Sequence, residues 1–142
     1  MALTVNKLRV TPLQGCIVRT GIAAEAVSAG QSVTVDTNGK WVKADADAAN
    51  KWRGLGVVLN ANKSDGNTSG DYAAGDEISI ACFGPIAGID GMDPLLSIWT
   101  STTAGGMTQT KPSGGGVFAA SIGYAFAADV MWVAPQPSES TY

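Results

Sequence analysis

Apolar residues recur at every second position in short runs along this chain, and glycine-centred turns separate the runs. The clearest case lies between Ala29 and Ala61. Val33 and Val35 alternate with polar residues, Asn38-Gly39 follows, and Trp41 and Val42 start the chain back. Alternation on both sides of Asn-Gly predicts a hairpin. A type I′ turn, which needs positive φ at both central residues, suits that dipeptide. A second apolar run, Leu55, Val57, Val58 and Leu59, is entered through Gly54 and Gly56 and predicts a third strand.

The same grammar extends over the rest of the chain. Leu3, Val5, Leu8, Val10 and Leu13 are scattered through residues 1–15, and Pro12 argues against a helix there. An extended arm or edge strand is expected, able to join its own sheet or a neighbour's. Cys16 to Arg19 predicts a short strand. Ala23 to Ala29 fits one helical turn or a strand equally well. Residues 60–75, rich in Asn, Asp, Ser and Gly, predict a long polar loop. In Glu77 to Phe83, Ile78, Ile80 and Cys82 share one face of a strand, which Gly84-Pro85 is expected to end. Further strands are expected over Leu95 to Thr100, Met107 to Thr110, Phe118 to Phe126 (broken at Gly123) and Asp129 to Val133. The sum is an all-β protein: a compact β-barrel or sandwich of short antiparallel strands (16–134), an N-terminal arm (1–15) and a flexible C-terminal tail (135–142).

Two phrases repeat. Ala29-Gly30-Gln31-Ser32-Val33-Thr34-Val35 echoes Ala74-Gly75-Asp76-Glu77-Ile78-Ser79-Ile80. Gly39 and Gly56 are matched by Gly106 and Gly123, both at an offset of 67. A duplicated β unit building one barrel or sandwich accounts for this.

Composition narrows the function. The chain has 142 residues, of which only 15% are charged, and carries 18 glycines and a net charge of −3. Such a length supports one good core, and the low charge does not fit disorder. Lys and Arg are dispersed, so no basic footprint for nucleic acid exists. Asn6, Lys7 and Arg9 interrupt the apolar residues of MALTVNKLRV, which does not fit a signal peptide. No apolar run reaches the ~18 residues of a membrane span. Synthesis in a cytoplasm is expected, with no membrane and no nucleic acid as partner.

Candidate chemistry is sparse. There is no histidine, which removes the Ser-His-Asp and Cys-His nucleophile systems and most transition-metal sites. The acid pairs Asp45/Asp47 and Asp90/Asp93 fall in loop-like sequence and read as separately solvated carboxylates. Asp65-Gly66-Asn67-Thr68-Ser69-Gly70-Asp71, closed by Asp76, fits a calcium-loop pattern. Its flanks read as strands rather than helices, and its last acid is the short Asp, so an ordinary polar loop is preferred. Cys16 and Cys82 read as two small buried hydrophobes rather than a disulfide. No catalytic residue, metal or cofactor is expected, and the chain is read as no enzyme. Among the tryptophans, Trp41, Trp99 and Trp132 lie in predicted strands and are expected in the core. Trp52, flanked by Lys51 and Arg53 on a loop, suits a partner contact, where Trp and Arg are enriched.

The order and spacing of these phrases resemble the small capsid decoration (cement) proteins of tailed bacteriophages. The residues that carry the resemblance are Glu25-Ala26, Ala29-Gly30, Val33 to Asp36, Gly39-Lys40, Lys43-Ala44, Gly54 to Leu59, Ala73 to Asp76, Ser97 to Thr100, Ala104-Gly105 and Ser121 to Ala125. They span roughly Gly21 to Val133; the loop from Asn62 to Asp71 departs from the pattern. The resemblance implies a homotrimeric β-barrel on the outer surface of an icosahedral virion. It would bind the major capsid protein at threefold or quasi-threefold sites and bridge capsomers. Leu3, Val5, Leu8, Arg9 and Val10 of the arm, with Lys51, Trp52 and Arg53, are the expected capsid or subunit contacts. The competing expectation is a carbohydrate- or ligand-binding β-clip module.

Overall fold

The computed structural model describes residues 3–60 and 69–135. Nearly all of its regular structure is β. The strands are β1 (Thr4–Val5), β2 (Ile17–Ile22), β3 (Val27–Ser28), β4 (Ser32–Val35), β5 (Trp41–Lys43), β6 (Gly56–Leu59), β7 (Asp71–Tyr72), β8 (Glu77–Ala87), β9 (Ile89–Asp90), β10 (Ser97–Thr100), β11 (Met107–Thr108), β12 (Ser121–Ala127) and β13 (Val130–Val133). One 3-10 turn, Lys7–Arg9, interrupts the N-terminal segment. The all-β expectation holds.

One antiparallel sheet, curled into a half-barrel, dominates. Its order is β11-β10-β12-β13-β8-β6-β4-β5, and β2 pairs with the other edge of β8. Two small ribbons, β1–β9 and β3–β7, stand beside it. The order repeats itself about the central β8–β13 pair. A hairpin (β4–β5) is followed by a strand that returns beside its first member (β6), and β10, β11 and β12 do the same. This is the architectural counterpart of the 67-residue glycine offset. The other echo has no such counterpart, since β4 and β8 flank the same strand.

Two apolar clusters lie on opposite faces of the sheet. Val57 and Leu59 of β6 join Ala81, Ile86, Ile98, Ile122, Met131 and Val133 in the larger cluster inside the curl. Val58 points the other way and meets Val33, Ile78 and Ile80, with Cys82 packed against them. Strand β6 is therefore buried on both faces, which explains why its sequence is a continuous apolar run rather than an alternation. Each fully buried Leu or Ile of this kind contributes about 1.5–3 kcal/mol.

Three local expectations are corrected. First, Gly84-Pro85 does not end β8, which continues to Ala87. The Pro85 carbonyl accepts from the Leu13 N–H at 3.0 Å, so the missing proline N–H also faces that edge, away from β13. The ladder to β13 loses no donor. Gly84, at φ 109, lets the strand change partners from β6 to β13. Second, the hairpin turn is not type I′. Only Gly39 has positive φ (78), and the Asp36 N–H donates to the Lys40 carbonyl at 2.8 Å, closing a three-residue loop. The Asp36 carboxylate accepts from the N–H groups of Asn38 and Lys40 at 2.8 and 3.0 Å, which favours this geometry. Third, Leu95-Leu96 and Phe118 to Ala120 lie outside the strands expected to include them, and Met107–Thr108 is shorter than expected.

Candidate interaction surface

The N-terminal segment lies on the body of its own chain. β1 pairs with β9, the Asn6 N–H donates to the Gly88 carbonyl at 2.9 Å, and the Asn60 N–H donates to the Val10 carbonyl at 2.8 Å. Lys7 Nζ sits 2.8 Å from Asp71 Oδ1, and the Ser28 hydroxyl donates to the same oxygen at 2.6 Å. These two groups hold the Asp71 carboxyl below the usual carboxylate range. Leu3 packs partly buried against the larger cluster, while Val5, Leu8 and Arg9 are exposed. Val10 corrects the sequence reading: it is wholly buried, a core residue rather than an outer contact.

Trp52 is corrected in the same way. It is only 9% exposed and stacks on Phe118, with ring centroids 5.3 Å apart and planes 14° apart. The Arg53 guanidinium lies 4.9 Å from the Trp52 ring, its Nε buried with no hydrogen-bond partner among the described residues. Lys51 is half-buried, its N–H donating to the Ala48 carbonyl at 3.1 Å. Lys-Trp-Arg thus fastens residues 44–53 to the strand region before β12 instead of offering a ring to a partner.

Of the other three tryptophans, Trp41 packs partly buried against the outer cluster, close to expectation, whereas Trp99 and Trp132 reverse it. Trp41, Trp99 and Trp132 are half-buried, because the strand period of two sends Val42, Ile98, Met131 and Val133 inward and these rings outward. The Trp99 ring lies 5.4 Å from Lys111 Nζ. Trp132 is the centre of an aromatic group on the outer face of the sheet. Phe83 meets it edge-on at 6.0 Å, Tyr124 stacks at 6.3 Å with planes 14° apart, and Phe126 tilts against it at 6.0 Å. Ile17, opposite Phe83 in the ladder, extends the surface onto β2. Phe126 and Ile17 are each 58% exposed and Phe83 is 46% exposed. Leu95, beside the end of β12 through its N–H to the Ala125 carbonyl at 2.6 Å, is 78% exposed. It is also the one non-glycine residue with positive φ (71) among the described residues. A large apolar side chain held bare in a left-handed backbone is both solvated and strained.

A face of this kind is larger than singly scattered surface hydrophobes, which need no explanation. Sequence reasoning misses it because each ring, taken with its strand alone, is assigned to a core. The readable signal is the alternation Tyr124, Phe126 beside Trp132, opposite in phase to Ala125, Met131 and Val133.

Elsewhere the surface offers less chemistry. A cleft of about 530 Å³ lies between Leu3, Val5 and Lys7 and the turns around Gly30 and Gly105; no aromatic ring lines it. Among the described residues no three His, Cys, Asp or Glu groups converge as metal ligands. No helix among them is long and apolar enough to cross a membrane. Residues 65–68 of the calcium-like loop lie outside the described residues; Asp76 caps its own turn, its carboxylate accepting from the Ala73 N–H at 2.8 Å. Cys16 and Cys82 are free thiols, half-buried rather than fully buried, Cys16 against the inner cluster and Cys82 against the outer one. Burial pushes both thiols up. No family model matches the chain, and no curated protein matches it.

Proposed function

We propose that this chain is a structural, non-enzymatic virion protein. As a homotrimer on the outside of an icosahedral phage capsid, it binds the major capsid protein at threefold or quasi-threefold sites and bridges neighbouring capsomers. The observation that carries the reading is the bare aromatic face around Trp132 on a β scaffold of low charge. Such a scaffold presents surface for docking rather than groups for chemistry. The phrases that resemble decoration proteins support it further. Gly39, Gly56 and Gly123 of those phrases sit at a hairpin turn and at two close strand contacts, so they specify a scaffold and not a reactive centre. Many weak copies of one contact around a shell bind through avidity.

The test is co-sedimentation with capsids that lack the protein. Saturable pelleting, with capsids that then resist heat or chelation better than bare ones, supports the proposal. Protein that stays in the supernatant at every concentration rejects it.

A further inference from the structure

We infer that the free edge of β2 is a strand-acceptor site: it takes an extended, apolar, acid-bearing segment of a partner protein, which in the function proposed above is the shell protein. The hydrogen-bond phase of β2 shows which backbone groups are available. The Ala23 N–H donates to the Asp76 carbonyl at 2.9 Å, and this pair continues the β2–β8 register. In an antiparallel ladder, hydrogen-bonded pairs recur at every second residue. Gly21 with Ile78 and Arg19 with Ile80 are therefore the bonded pairs, and the N–H and C=O groups of Val18 and Thr20 turn away from β8. The far side of β8 agrees. Val58, opposite Ile80, donates its N–H to the Gln31 carbonyl and accepts from the Gly30 N–H, so β6 leaves the Ile80 backbone to β2.

Among the described residues, no strand pairs with this outer edge between Ile17 and Thr20. Beyond that stretch the chain closes its own edge. The Cys16 N–H donates to the Leu13 carbonyl at 3.1 Å at one end. At the other, Ala23 bridges to Trp41, the Ala24 N–H donates to the Trp41 carbonyl at 2.8 Å, and the Trp41 ring lies where a Cβ on Gly21 would be. The open length, Ile17 to Gly21, is roughly 15 Å. Its residues Ile17, Val18, Arg19 and Thr20 are all exposed. Sheets blunt such edges with proline, charge, bulges or a covering segment; here the blunting is one bulge at Ile17/Val18 and the charge of Arg19. Bare donors and acceptors between exposed apolar side chains take an added strand, with main-chain bonds for affinity and alternate side chains for specificity.

Charge selects the occupant. A second copy is disfavoured: antiparallel pairing that uses both Val18 and Thr20 sets each Val18 opposite the other copy's Thr20, and so sets Arg19 directly opposite Arg19. Like charges in that position destabilise a strand pair, and opposite charges stabilise it. Arg19 makes no ion pair among the described residues. A segment with an acid at this level and apolar residues beside Ile17 and Val18 satisfies the edge. Ile17 lies opposite Phe83, so the added strand would also border the aromatic group around Trp132.

Only the source of the segment rests on the function proposed above, and amide exchange with proline substitution tests the two separately. In the free chain the Val18 and Thr20 amides are expected to exchange faster than those of Arg19 and Gly21, and to slow on bare capsids. Thr20→Pro removes an outward N–H, which an edge strand tolerates. Its melting curve is expected to stay near wild type while its pelleting with bare capsids weakens about fivefold or more. Thr20→Val keeps the N–H and is expected to pellet like wild type. The probe for the edge alone is a blocked hexapeptide of alternating valine and threonine with one central aspartate. At millimolar concentration it is expected to slow exchange at Val18 and Thr20, and to do so more than the same peptide with lysine for aspartate. Amides at Val18 and Thr20 that the peptide leaves unchanged overturn the inference. So does Thr20→Pro that pellets like wild type, or self-association of the free chain that Thr20→Pro abolishes, which would give the edge to a second copy. If Thr20→Pro melts early, exchange on capsids decides: slowing at the two amides supports the inference and its absence overturns it. A wild type that never pellets, with both amides protected by the peptide, removes the virion role and leaves the inference standing.

Discussion

Gly56 and Gly123, 67 positions apart, occupy matching places in the two halves of the sheet, each pressed against the backbone of the next strand. A Cβ on Gly56 would lie 2.7 Å from the Ala81 carbonyl oxygen of β8 and collide with Ile80; one on Gly123 would collide with the Trp132 carbonyl of β13. Both obstacles include backbone atoms in the sheet, which a rotamer change cannot clear.

Gly56→Ala and Gly123→Ala are therefore expected to destabilise the fold by about 2–3 kcal/mol or more, at the upper end for overpacked sites. For a chain of this size that is a fall of roughly 5–10 °C in Tm. Gly115→Ala is the control, because nothing lies within 4 Å of where its Cβ would stand and its φ is not positive. Its effect is expected within about 0.5 kcal/mol of zero. Thermal melts of the three variants decide the matter; equal Tm values would show that the strands can spread and that the glycine offset is incidental.

Trp52 belongs to the interior and not to the surface, and this changes what its mutation should do. Its ring is buried between Phe118 and Arg53. Trp52→Ala is expected to cost about 3–5 kcal/mol of stability, as large-to-small aromatic truncations in cores do. Denaturant unfolding measures it. A loss below about 1 kcal/mol, coupled to loss of capsid binding, would return Trp52 to the role of a partner contact.

Trp52 and Trp132 together mark what the sequence could and could not say. Strand positions were readable because alternation is a local property: Val33 of β4, and Ile78 with Ile80 of β8, are buried in one cluster on one face of the sheet. Which face of a strand a second layer covers is not local. Trp132 and Val58 both face outward from the curl, yet Val58 is roofed by Val27 and Tyr72 while Trp132 is not. That difference depends on a ribbon formed by residues from two distant loops, β3 and β7, and the second of these was hidden in a polar stretch. Likewise Val10 looks like any apolar residue of an arm until Gly88 opens the space against its backbone. The hairpin at Asn38-Gly39 was visible, but its loop length was set by the Asp36 carboxylate, a side-chain effect that the dipeptide preference does not contain.

The contact between Lys7 and Asp71 carries a pH signature. Lys7 and Ser28 depress the Asp71 pKa in the folded chain, whereas the unfolded value is near the ordinary ~3.9. A carboxyl whose folded pKa is depressed stabilises the fold above the unfolded value, and that contribution is lost as pH falls through the folded one. Asp71→Asn should thus lower stability at about pH 5–7 and become indistinguishable from wild type well below pH ~4. The difference should be small, within the ~0.2–1 kcal/mol of exposed pairs, because both side chains are about half exposed. Parallel Tm series of the two proteins from about pH 7 to about pH 2.5 check it. A gap that stays constant into strong acid would mean that the substitution acts through packing and not through charge.

Cys16 and Cys82 should be slow nucleophiles. Burial raises both thiol pKa values, the neighbouring Cys82 adds to the rise at Cys16, and Arg19 pulls Cys82 partly back. Because the thiolate is the reactive species, both cysteines should react with a disulfide reagent at about pH 7.5 more slowly than an unfolded thiol. Two thiols per chain should react at once after denaturation, as both are free. Arg19→Ala removes the attraction that favours the Cys82 thiolate, so Cys82 should slow further while Cys16 keeps its rate. The sign for stability follows: folded pKa values above the unfolded ~8.5 leave the fold unaffected below that pH and weaken it as pH rises through the folded values. Alkylation followed by peptide mapping resolves the two sites. A fast Cys82 in the native protein, or a Cys82 quickened by Arg19→Ala, would show that its environment favours the thiolate after all.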